Sequence, residues 1–150
     1  MGNNMIIGYA AGAFDLFHVG HLNILRQAKS RCDHLIAGVV SDDRLLETKG
    51  RRPIISEDER LEIVSSINFV DQAVLEYHSS RLKTWQEVGF DVFFKGDDWK
   101  NTPKGIELEK QFKTVGVKVE YFPYTMHTSS TKLRIALAQL SAPSDQARQA

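Results

Sequence analysis

Short runs rich in β-branched residues alternate along this chain with longer amphipathic stretches, and that alternation limits the possible folds more than any other feature. Met5–Tyr9, His34–Val40, Val70–Leu75, Asp91–Lys95 and Val117–Phe122 are expected as strands. Gly20–Ser30, Glu57–Ile67, Ser80–Val88, Lys104–Val115 and Ser129–Leu140 are expected as helices. Strands separated by helices build βαβ units, whose strands run parallel. "HLIAGVV" and "DVFFKG" are nearly continuous apolar runs, as befits strands covered on both faces. The expectation is an α/β fold of Rossmann-like type, three layers (α/β/α) around a five-stranded parallel sheet. A chain of 150 residues can fill one core of this kind and not two. One domain over residues 1–140 is expected, with a polar tail, residues 141–150, that frays.

Several boundaries carry their own chemistry. Ser56 and Glu59 have capping-box spacing and open a helix after "RRPII". Gly89 and Gly116 each close a helical stretch where a left-handed residue is wanted. The segment "DDRLLETKGRRPIIS" has no clean period and is expected as a long charged loop, a common form for a functional lid.

Charge and cysteine content narrow the function. Lys plus Arg and Asp plus Glu both number 19, so no global basic field marks a nucleic-acid binder. Any anion must be met by a local cluster, which points to a small ligand. The single cysteine, Cys32, excludes an internal disulfide and reads as filler or a surface thiol at a helix end. No apolar run reaches the roughly 18 residues of a spanning helix. A soluble, cytoplasmic protein without membrane insertion is expected.

The most informative stretch is "GAFDLFHVGH", Gly12 to His21, directly after the first strand and leading into the first helix. Ligands of open α/β sheets bind beyond the carboxyl ends of the strands. A helix starting there offers free N–H groups and a positive dipole end to an anion. His18 and His21 are three apart and project from one face, and Gly20 between them allows close approach. Paired imidazoles at an anion site suit phosphoryl or nucleotidyl transfer, where catalysis is mostly positioning and hydrogen bonding to oxygens that gain charge. Surface packing or metal binding are the plainer alternatives for two histidines; the position straight after strand one favours the anion.

Other constellations fall on the same edge. "KGDDWKN" follows the fourth strand, so Asp97 and Asp98 could accept hydrogen bonds from a substrate and Trp99 could offer a face; turn-forming aspartates are the plain alternative. "HTSSTKLR" sets Ser129, Ser130 and Thr131 at the start of the last helix, as an N-cap or a second phosphate cradle. "ETKGRRP" supplies Lys49, Arg51 and Arg52, which could equally be a solvated charged face.

"GAFDLFHVGH" resembles the HxGH signature of the cytidylyltransferase family, within the nucleotidyltransferase superfamily. "INFVDQAV", "KGDDWK" and "TSSTKLR" follow in that family's order and spacing, from about Ile6 to Leu137, and "GDDW" is most similar to the glycerol-3-phosphate cytidylyltransferases. The resemblance implies that His18 and His21 are catalytic. It places Gly12, Ala13, Phe14, Gly20, Arg51, Tyr124, Ser129, Ser130 and Thr131 at the nucleotide, and Lys49, Arg81, Asp97, Asp98 and Trp99 at the second substrate. It implies CTP and a small phosphorylated alcohol, best glycerol 3-phosphate, as partners, with Mg²⁺ carried in on the nucleotide and no dedicated metal cage. A homodimer is also implied, with "INFVDQAVLEY" at its interface. The pattern departs in two places: Asn68 stands where the family usually has arginine, and Tyr124, Thr125, Met126 and His127 replace its Arg-Thr-Glu-Gly. The alternatives are therefore a phosphoethanolamine or phosphocholine enzyme using CTP, an adenylyltransferase using ATP and a sugar phosphate, and a non-catalytic nucleotide binder.

Overall fold

A computed structural model of the chain describes residues 4–123 and 129–142. Five strands, β1 (Ile7–Gly12), β2 (His34–Val40), β3 (Gln72–Glu76), β4 (Val92–Gly96) and β5 (Lys118–Phe122), form one parallel sheet in the order β3-β2-β1-β4-β5. Among the described residues six α-helices connect or flank them, α1 (Val19–Lys29), α2 (Asp42–Lys49), α3 (Glu57–Ser65), α4 (Arg81–Val88), α5 (Pro103–Lys113) and α6 (Ser130–Ser141), with a 3-10 turn at Asp97–Trp99 after β4.

The period-two alternation along each strand splits the core into two layers. Ala10, Leu35, Ala37, Val39 and Phe94 face α1 and α3, where Leu25, Ala28 and Val64 meet them. Tyr9, Ile36 and Phe93 face the other way, onto Leu108 and Phe112 of α5 and the partly buried Leu82 and Trp85 of α4. The expected three-layer α/β/α architecture is thus the observed one. Strand order reverses between β1 and β4, which opens a crevice at the carboxyl edge of the sheet.

Three local expectations are corrected. The segment from Asp42 to Lys49 is a helix, not loop. Ser41 caps it by accepting from Arg44 N, Asp42 and Asp43 meet the positive dipole end, and Gly50 closes it in the left-handed conformation. Only Leu45 of this helix is buried, so no apolar stripe announces it in the sequence. At α3, Ser56 occupies the N-cap position but its side chain makes no capping bond. Glu57, Asp58 and Glu59 instead fill the first turn and complement the dipole. The last helix ends at Ser141, one residue beyond the expected boundary, and the tail from Pro143 lies outside the described residues. Cys32 is partly buried against the α1 core, its thiol donates to Ala28 O at 3.3 Å, and burial pushes its pKa up, which suits packing rather than nucleophilic chemistry. Among the described residues no helix is long and apolar enough to cross a membrane.

Candidate active site

Beyond β1 the chain passes through Phe14 and Leu16, both with positive φ (54° and 52°), before α1 begins. Left-handed backbone at two bulky residues costs of order 1 kcal/mol or more each and persists only where surroundings over-determine it. Here those surroundings are visible. Asp15, between them, is almost fully buried, and its carboxylate accepts from Ile54 N (2.9 Å) and Ile55 N (2.8 Å). The guanidinium of Arg60, 1% exposed, donates to Ala13 O, Val40 O and Ile55 O and pairs with Asp42 at 2.7 Å. One arginine thereby joins the β1–α1 turn, the end of β2, α2 and the α2–α3 connection.

His18 is the N-cap of α1. Its Nδ1 accepts from Gly20 N at 3.0 Å, and His21 Nδ1 accepts from His18 N at 3.2 Å. A ring nitrogen that accepts an N–H carries no proton, so the neutral form of each ring is protonated at Nε2. The two rings stack with centroids 4.0 Å apart. Burial lowers the pKa of His18, and burial with the neighbouring His18 lowers that of His21 to about 4. At neutral pH the pair presents two uncharged Nε2–H donors next to the open N-terminus of α1.

A second helix start comes in beside the first. Ser129 caps α6 by accepting from Lys132 N, and Ser130 Oγ donates to Asp15 O at 2.7 Å. Thr131 Oγ1 accepts from Arg134, whose guanidinium lies 3.6 Å from Asp15. The Ser/Thr run thus both caps and anchors its helix, with its remaining N–H groups beside α1.

These elements enclose a cleft of about 1000 Å³, large enough for a nucleotide and a second ligand together. Gly12, Ala13, Phe14, His18, Gly20 and His21 line it from the β1–α1 turn, and Ser129, Ser130 and Thr131 from α6. Lys49 lines it from the end of α2, Arg81 from the start of α4, and Asp98 and Trp99 from the 3-10 turn after β4. Arg51 sits just outside, in a small depression shared with Lys49 and Arg134. Asp97 is exposed and Asn68 likewise, and neither lines the cleft. Tyr124 to His127 lie outside the described residues. Arg81 is already engaged: its Nη1 donates to both oxygens of buried Glu76, at 2.8 and 2.7 Å, and Tyr9 OH donates to Glu76 at 3.0 Å. Lys49 is exposed at the cleft mouth, and its pKa is lowered, first by partial desolvation and then by Arg134. Among the described residues no three His, Cys, Asp or Glu side chains converge as a metal cage.

Sequence reasoning missed Asp15, Arg60, Glu76 and Lys95 as parts of this region. Their partners stand from 4 residues away (Trp99 for Lys95) to 119 (Arg134 for Asp15) and mostly leave no local pattern, although Asp15 stands inside the very motif that pointed to the site.

Known proteins resemble this chain over most of its length. Residues 9–136 match the cytidylyltransferase-like family model. The chain is 32% identical over 122 residues to an FAD synthase of Thermococcus sibiricus, covering 81% of this chain and 82% of that protein. It is 33% identical over 128 residues to the bifunctional protein HldE of Geobacter metallireducens, covering 85% of this chain but only 26% of that larger protein. A solved lipopolysaccharide core biosynthesis protein from Thermoplasma volcanium superposes with a TM-score of 0.70 at 30% identity, covering 83% of this chain and all of that one. These relatives do not carry the glycerol-3-phosphate cytidylyltransferase name that "GDDW" suggested. The shared motif, the sheet order and the matched span lead to one conclusion: the chain belongs to the cytidylyltransferase-like family of HxGH nucleotidyltransferases.

Proposed function

We propose that this protein transfers an adenylyl group from Mg²⁺-bound ATP to the phosphate of a phosphorylated acceptor. An acceptor phosphate oxygen attacks the α-phosphorus in line, the bond to the β-phosphate breaks, and pyrophosphate leaves. The observation that carries this reading is the pair of Nε2–H donors of His18 and His21 beside two helix N-termini, at the switch point of the sheet. Neutral donors fixed by backbone bonds cost no reorganisation as negative charge grows on the α-phosphate oxygens. The starts of α1 and α6 supply N–H groups for the rest of the triphosphate. Mg²⁺ enters as part of the nucleotide substrate and neutralises phosphate charge during transfer.

ATP is preferred because FAD synthases, which this chain matches over most of their length, make a product that contains an adenylyl group joined through phosphate to a flavin mononucleotide. A second reading, CTP with glycerol 3-phosphate, is supported by the "GDDW" residues and by the cytidylyltransferase-like family model. A pyrophosphate-release screen separates the two. ATP and CTP are each offered with flavin mononucleotide, a hexose 1-phosphate, glycerol 3-phosphate, phosphoethanolamine and phosphocholine. Turnover with ATP and one of the first two is expected; turnover confined to CTP and glycerol 3-phosphate favours the second reading. Tight nucleotide binding with no pyrophosphate from any pair overturns both and leaves a non-catalytic binder.

A further inference from the structure

Lys95, the fourth residue of β4, lines the same cleft as the histidines but reaches it from the opposite layer. It shares the sheet face of Phe93, which is covered by α4 and α5, whereas His18 and His21 come from α1. Its ammonium stands 4.0 Å from the centroid of the Trp99 ring. Lys49 and Arg81 act on it as like charges, and Asp98 and Glu76 as opposite ones. Glu76 is already bound by Arg81 and Tyr9. Three cations from α2, α4 and β4 therefore line the cleft within electrostatic reach of Lys95, and an aromatic face is a weaker partner for an ammonium than a phosphate is. Burial holds the Lys95 pKa down to about 8, the mark of a cation short of solvent.

The triphosphate already has partners in the two helix starts and the histidines. The acceptor has a different need. It brings a phosphate dianion against a nucleotide of the same sign, and that approach requires cations around it. We propose that Lys95 is a substrate-binding residue whose ammonium turns from the Trp99 ring to the phosphate monoester of the acceptor, completing with Lys49 and Arg81 a site for that dianion. The proposal rests on the nucleotidyl-transfer reading above and adds to it a residue and a division of labour between the two layers of the fold.

Lys95→Met and Lys95→Arg test it. For Met, the acceptor KM in the best pair of the screen should rise about tenfold or more, the size of one lost charge-assisted contact. ATP affinity, measured by calorimetry, should stay within about twofold. Arg should recover most of the acceptor KM. An unchanged acceptor KM, or an equal loss of ATP affinity, overturns the assignment. If no pair turns over, the functional reading has failed, and Lys95 is judged by trace acetylation read by mass spectrometry. With a non-hydrolysable ATP analogue bound, added inorganic phosphate or glycerol 3-phosphate should slow acetylation of Lys95. Protection by the nucleotide alone, or none at all, overturns the proposal.

Discussion

Each histidine of the pair does two jobs with two different atoms. Nδ1 holds the turn by accepting a backbone N–H, and Nε2 is left for the ligand. The two roles can be separated, because asparagine places an acceptor near the Nδ1 position and nothing near Nε2. His18→Asn and His21→Asn should keep the fold, by far-ultraviolet circular dichroism, while each lowers kcat about 100- to 1000-fold, as losing one transition-state donor does. His21 also sets a pH dependence of stability. Its folded pKa, about 4, lies below the unfolded 6.5, so the unfolded chain takes up the proton first as pH falls. The stability present above pH 6.5 is therefore lost on descent towards 4. In urea titrations across that window, His21→Asn should show a shallower decline than the wild type.

Two connections between elements decide where the site residues stand. Arg60 ties four segments together with one buried guanidinium, and replacing it by leucine leaves three carbonyls and Asp42 without their donor. Breaking a buried ionic partnership in this way should cost about 3–5 kcal/mol, measured as a shift of the urea midpoint. The second connection crosses the sheet. Tyr9 on β1 reaches over β2 to Glu76 on β3, and it can do so because residue 38 has no side chain. A Cβ built on Gly38 would stand 1.9 Å from Tyr9 Oη and 2.4 Å from its Cζ. Tyr9 is fully buried and stacked on Phe90, so it has nowhere to go. Gly38→Ala should destabilise by about 1–3 kcal/mol. It should also raise the acceptor KM, since Glu76 would lose one of the bonds that hold it under Arg81.

The molecule as a whole has no net charge, yet Lys49, Arg81, Lys95 and Arg134 all line one cleft. Binding of a polyanion there should weaken with salt even though the chain is formally neutral. Between roughly 50 and 500 mM salt, the acceptor KM should rise on the order of tenfold; a flat response would mean that hydrogen bonds rather than charge hold its phosphate. The parallel sheet, its two covered faces and the helix-start histidines were legible in the chain because each is a local pattern: short strands alternating with helices, nearly continuous apolar runs, and a spacing of three straight after the first strand. The helix Asp42–Lys49 was not, since one buried leucine makes no stripe. Nor were Asp15, Arg60, Glu76 and Lys95, whose meaning lies in partners brought near by the order β3-β2-β1-β4-β5. Hydrophobic periodicity is written residue by residue, so it survives in a linear reading. A buried charge acquires its role only from the groups that desolvate and pair with it, and those assemble when the sheet closes.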